Sequence, residues 1–205
     1  MKENYSNICE NILNNIKGKK KLLLHSCCAP CSSYVITYLT KYFDITILYY
    51  NPNIAPYEEY IKRKKEQIKL IKEIEIKNNI EIIDCDYDNN LYNKLIKGLE
   101  NEPERGSRCN ICYQMRLEKT AIIAKENNYD YFCTTLSVSP YKNSELINAI
   151  GKELEEKHNV KWLYSDFKKK DGYKKSIELS KKYNLYRQDY CGCTFSKPKS
   201  FNITN

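Results

Sequence analysis

Short apolar runs alternate with longer helical stretches along this chain, and that alternation most narrows what it can fold into. Residues 21–26 (KLLLHS) read as a buried strand. A cysteine loop at 27–31 and a helix over 32–42 follow. Further strands are expected at 44–50 (DITILYY), 80–84, 131–135 and 162–165. Helices are expected at 57–78, 89–99, 109–127, 144–158 and 171–183, with a weak helical pattern within 1–20. Prolines break the chain at 51–56 (NPNIAP) and 102–106 (EPERG). This order predicts an α/β fold, a mostly parallel sheet of about five strands with helices on both faces. No repeat or linker divides the chain, so 1–205 is read as a single domain with an irregular C-terminal tail, 185–205. Ligands of such sheets sit outside the carboxyl ends of the strands. The loops 27–31, 51–56 and 134–142 leave those ends, which predicts one shared crevice.

Seven of the ten cysteines fall into three tight motifs. HSCCAPC carries Cys27, Cys28 and Cys31; RCNIC carries Cys109 and Cys112; YCGC carries Cys191 and Cys193 around Gly192. The first two motifs stand where helices begin, and a helix N-terminus favours the thiolate. Seven sulfurs exceed the four of a structural zinc site or of one iron–sulfur cluster. They suggest a four-iron cluster with a second metal, or a cluster with a redox pair. A zinc-stabilised RNA-binding module is the rival reading. Cys9, Cys85 and Cys133 lie in or beside expected helices and strands and read as small hydrophobes.

The net charge of +8 suits a polyanionic partner, but a chain so rich in Lys, Asn, Ile and Tyr takes many lysines from codon bias alone. No apolar run has the length of a membrane span and no signal peptide is seen, so a cytoplasmic location is expected.

The motifs together resemble a known family. LLLHSCCAPCSS (22–33), YYNPNIAPYEEYIKR (49–63), EPERGSRCNICYQMRLEKTA (102–121), TTLSVSPYKN (134–143) and YRQDYCGCTFS (186–196) run in order, as in the QueH-type epoxyqueuosine reductases. The resemblance implies an adenine nucleotide alpha hydrolase-like (HUP or PP-loop-like) fold acting as one catalytic domain. HSCCAPC stands where a PP-loop enzyme has a Gly/Ser-rich phosphate loop, which argues against ATP use and against a PP-loop-like modifying enzyme as the alternative. The resemblance also implies a [4Fe-4S] cluster with a second mononuclear metal, expected to be iron. The substrate it implies is tRNA carrying epoxyqueuosine at the wobble position, with an unidentified electron donor.

Within that reading, Cys28, Cys109, Cys112 and Cys191 are assigned to the cluster, and Cys27, Cys31 and Cys193 to the second metal. Proton donors are sought among Asp189, Tyr190 and His25; for His25 a hydrogen-bonded structural role competes. Arg63, Arg105, Arg108, Arg116 and Arg187 are the candidates for gripping phosphates, because the guanidinium fork suits them. Tyr49, Tyr57, Tyr113 and Tyr141 are candidates to stack on the extruded base.

Overall fold

The computed structural model describes residues 3–197; the last eight residues of the expected tail, 198–205, lie outside them. Five strands form one wholly parallel sheet: β1 (Lys20–His25), β2 (Phe43–Tyr49), β3 (Glu81–Asp84), β4 (Tyr131–Thr134) and β5 (Lys161–Trp162). Their order is β3-β2-β1-β4-β5, so the chain winds outward from β1 on one side and then on the other. β1 is therefore central, and the switch of direction falls between β1 and β4.

Leu22, Leu23 and Leu24 of β1 are all fully buried. Alternate residues of a strand face opposite sides. Leu22 and Leu24 accordingly join a core with α1 (Tyr5–Asn15), α2 (Ala29–Leu39) and α3 (Tyr57–Glu73). Leu23 joins the opposite core with α5 (Ser107–Glu126) and α6 (Ser144–His158). A strand covered on both faces must be apolar throughout, which is why KLLLH shows no polar alternation. The short α4 (Asn89–Leu95) leans on α5, and α7 (Gly172–Lys182) packs on α2.

α4 stops at Leu95 rather than at 99, the chain turning over 96–98, and three further boundaries differ from expectation for local reasons. α2 begins at Ala29 rather than at 32, because Pro30 fits a first helical turn where no amide donor is needed. This draws Cys31 into the helix. α3 stops at Glu73 instead of running to 78: Ile74 turns extended, and the Glu75 amide donates to the Tyr183 hydroxyl at 3.2 Å. β5 ends at Trp162, not 165. The Asn148 side chain accepts from the Ser165 amide and from Trp162 Nε1, both at 3.0 Å, and donates to the Ser165 carbonyl at 2.8 Å. Those bonds pull the chain off the sheet edge.

Trp162 is also held by close approach of α6. A Cβ on Gly151 would lie 2.2 Å from Trp162 Cε2. Gly151→Ala is therefore expected to destabilise the fold by about 1–3 kcal/mol through overpacking. Urea unfolding followed by the fluorescence of Trp162 measures it.

Candidate functional site

The turn after β1 carries the first cysteine motif into the switch-point crevice. Cys28 caps α2 with an extended backbone, and Cys31 follows within the first helical turn. The Ser26 and Ser32 hydroxyls both donate to Gln67 Oε1, at 2.7 and 2.8 Å, and Asn51 Nδ2 donates to the Ser26 carbonyl at 2.8 Å. α3 and the β2 loop thus fix the turn. The three sulfurs lie within 4.8 Å of one another, a spacing open to a metal ion. Hydrogen bonds from Cys28 and Cys31 hold the Cys27 thiol well below its usual range, helped by the charge of Arg116. The shared proton raises its neighbours, Cys28 to about 12. Within the trio the negative charge thus favours Cys27, while Cys28 and Cys31 hold their protons.

Cys109 and Cys112 stand in the first turns of α5, and burial pushes the Cys112 thiol to about 11. Cys112 packs with Tyr92, Cys191 and Cys193 in one small apolar group. The Tyr92 hydroxyl lies 3.2 Å from Cys193 Sγ.

The third motif is tied down from α3. Arg63 Nη1 and Nη2 donate to the carbonyls of Cys191 and Tyr190 at 3.2 and 3.3 Å, while its Nε pairs with Glu59 at 2.7 Å. The guanidinium also lies 5.0 Å from the Tyr190 ring centroid. The Ala55 amide donates to the Gly192 carbonyl at 2.9 Å. Gly192 has φ +107°, and a Cβ there would lie 2.8 Å from Ile54 Cγ1, so only glycine lets the tail lie this close. Cys193 and Ser196 hydrogen-bond to Cys191, and nearby Lys142 adds its charge; together they overcome burial and draw the Cys191 thiol down to about 5.

These pieces surround one cavity of about 230 Å³. Six of the seven expected sulfurs line it: Cys27, Cys31, Cys109, Cys112, Cys191 and Cys193. Cys28 stands behind, 1 % exposed, grouped with Cys27 and Cys31 rather than apart from them. The division that put Cys28 with Cys109, Cys112 and Cys191 does not follow this grouping.

The remaining expectations separate by burial. His25 is fully buried and does not line the cavity. Its Nε2 lies 3.1 Å from the Tyr50 carbonyl, which can only accept, so the proton is on Nε2 and Nδ1 accepts from Thr134 Oγ1 at 2.8 Å. Burial lowers its pKa to about 3, which favours the neutral ring, and its two hydrogen bonds tie the ends of three strands together. Arg63, Arg108 and Arg116 are buried, and of the three Arg108 and Arg116 line the cavity. Arg108 Nη1 donates to the carbonyls of Leu99, Glu100 and Glu102, and the guanidinium faces Phe195 of the tail at 5.1 Å. Arg105 and Arg187 are exposed. Arg187 lines the cavity and Arg105 bonds the carbonyls of Pro140 and Tyr141 beside it. Asp189 is exposed and Tyr190 half-buried at the rim, the Tyr190 hydroxyl donating to the Ala55 carbonyl at 3.2 Å.

Among the tyrosines, Tyr141 is 62 % exposed on the cavity wall and Tyr113 is buried there. Tyr49 is buried with its hydroxyl on the Tyr60 carbonyl, and Tyr57 packs on Tyr60 and Tyr87 outside the cavity. Lys142, paired with Glu104 at 2.9 Å, and Asn53 also line the cavity; sequence reasoning passed over both. Nothing marks one lysine among so many.

The family model described as "Epoxyqueuosine reductase QueH" matches residues 22–199. The chain belongs to the QueH family. A relative from Staphylococcus epidermidis described as epoxyqueuosine reductase QueH is 43% identical, over 97% of this chain and 86% of its own length. Relatives of the same description from Streptococcus pyogenes and Thermotoga maritima are 43% and 35% identical, over 87% and 85% of this chain and 71% and 89% of theirs. A solved structure from Methanocaldococcus jannaschii, described as a predicted subunit of tRNA methyltransferase, superposes with a TM-score of 0.51 at 16% identity. It covers 78% of this chain and 76% of that one, and it shares the α/β fold. Among the described residues no helix is long and apolar enough to cross a membrane.

In the metal-free protein, alkylation of Cys191 by iodoacetamide is expected to stay thiolate-driven down toward pH 5, where an ordinary thiol has long been protonated. Lys142→Met removes a stabilising cation and is expected to move that midpoint upward. Peptide mass mapping of the alkylated site across pH checks both.

Proposed function

We propose that this protein reduces epoxyqueuosine to queuosine in tRNA at a thiolate-held iron–sulfur centre in this cavity. One observation carries the reading beyond family membership: six cysteines from three distant motifs line a single open cavity at the switch point of the sheet. A structural zinc site takes four ligands and closes around its metal. Here there are more sulfurs than that, and the cavity stays open. The donor set suits a soft, thiolate-ligated group, and the buried cation Arg116 beside it suits a group of net negative charge. Cys109, Cys112, Cys191 and members of the Cys27–Cys28–Cys31 trio would hold a [4Fe-4S] cluster, with the remaining trio sulfurs and Cys193 left for a second metal, taken as iron. Such centres supply electrons one at a time and can polarise an oxygen.

The chain's own residues bind and orient the base. Tyr141, exposed on the wall, offers a stacking face, and the neighbouring Arg105 and Arg187 reach for the flanking phosphates. Converting the epoxide to an alkene takes two electrons and two protons and releases its oxygen as water. Asp189, exposed at the rim with no hydrogen bond fixing it among the described residues, is placed to pass protons in. Tyr190, engaged on Ala55, is better placed to hold the tail.

The direct test is turnover. Anaerobically reconstituted protein and a chemical reductant are incubated with epoxyqueuosine tRNA, and the digested nucleosides are read by mass spectrometry. Conversion to a nucleoside lighter by one oxygen is expected; unchanged epoxyqueuosine with iron-loaded protein would contradict the reading. Asp189→Asn is expected to slow turnover by about 10²-fold with the iron content unchanged, the scale of a lost general acid. Tyr141→Ala is expected to raise KM for the tRNA more than it lowers kcat, as read from initial rates.

A further inference from the structure

Arg116 is a buried cation that no carboxylate pairs with among the described residues. It stands on α5 four residues after Cys112, on the same helix face, and is 3 % exposed. Its Nη1 donates to Asn53 Oδ1 at 2.8 Å. Its Nε and Nη2 are buried and find no hydrogen-bond partner among the described residues, and no carboxylate pairs with it there. The other buried arginines contrast with this. Arg63 has Glu59, and Arg108, though its Nε is also unpartnered, has three carbonyls on Nη1 and the Phe195 ring. Arginine cannot shed its proton to escape burial, so an uncompensated guanidinium is costly. The groups whose negative charge bears on it are Cys112, Cys27, Tyr113 and Cys191, one cysteine from each motif.

We infer that Arg116 is a positioning residue for the iron–sulfur centre: its unpartnered Nε and Nη2 would donate to sulfur of that centre. This rests on the function proposed above. It also gives Arg116 a task at the cofactor in place of the phosphate grip expected from sequence. Reduction adds one negative charge to the centre, so a fixed cation and N–H donors at its sulfur favour the reduced form and raise the potential. The planar fork supplies both donors at once, which a lysine ammonium does not.

The experiment compares wild type, R116M and R116K, each reconstituted anaerobically, by iron content, by a redox titration followed by electron paramagnetic resonance, and by thermal unfolding with and without metal. Without metal, R116M is expected to unfold at a temperature at least as high as wild type, because it removes a buried charge that no carboxylate pairs. With metal the order reverses and R116M holds less iron. Its reduction equilibrium falls at least tenfold, ~59 mV for one electron, and R116K falls between the two. Equal destabilisation in both forms marks a merely structural arginine and overturns the inference, as does an unmoved potential in R116M. If R116M does not fold, a wild-type potential in R116K overturns it. A wild type that takes up no iron overturns both this inference and the proposed function, whereas an active, iron-loaded wild type beside an unmoved variant overturns this one alone.

Discussion

Mutual repulsion among thiolates is the constraint around which this structure is arranged. Sulfurs gathered in a buried cavity cannot all ionise without compensating positive charge. The fold supplies it in several forms. Two of the motifs stand at the N-termini of α2 and α5, the positive ends of those helices. Arg116 and Lys142 stand on the cavity wall. Where compensation runs short, protons are shared: Cys27 and Cys191 are drawn toward thiolate while Cys28, Cys31 and Cys193 hold theirs. The proposed metal centre would complete what the protein alone leaves half-ionised.

The sheet makes that cavity possible by placing the motifs without using their side chains. β1 is buried on both faces, so its carboxyl end is a fixed point. α5 packs on the same sheet and brings Cys109 and Cys112 to that end. Among its described residues the tail has no strand or long helix to hold it. Arg63, with its partner Glu59, binds the tail backbone directly, and Gly192 allows the close approach. A buried ion pair thus does for the third motif what hydrophobic packing does for the first two.

Much of this was legible in the sequence because it rests on local pattern. Leu22 to Leu24 and the helical stretches pointed to the parallel strands with helices on both faces, and the loops 27–31, 51–56 and 134–142 pointed to one crevice. What stayed hidden depends on tertiary contacts. Nothing in the residue type separates Arg116, buried beside thiolates, from Arg187, exposed at the rim. His25 precedes a metal motif, yet its ring is consumed by Thr134 and Tyr50, which arrive from neighbouring strands. The short β5 follows from the Asn148 amide, 17 residues from Ser165, a link no periodicity displays.

The central claim is that the three cysteine motifs share one iron–sulfur centre, and the measurement closest to it is a Mössbauer spectrum with iron, sulfide and zinc analysis of a single anaerobically purified sample. The account predicts roughly four or more irons per chain with matching sulfide and a cluster signal. One zinc per chain, with no sulfide even after anaerobic reconstitution, would contradict it and leave a zinc-stabilised module in its place.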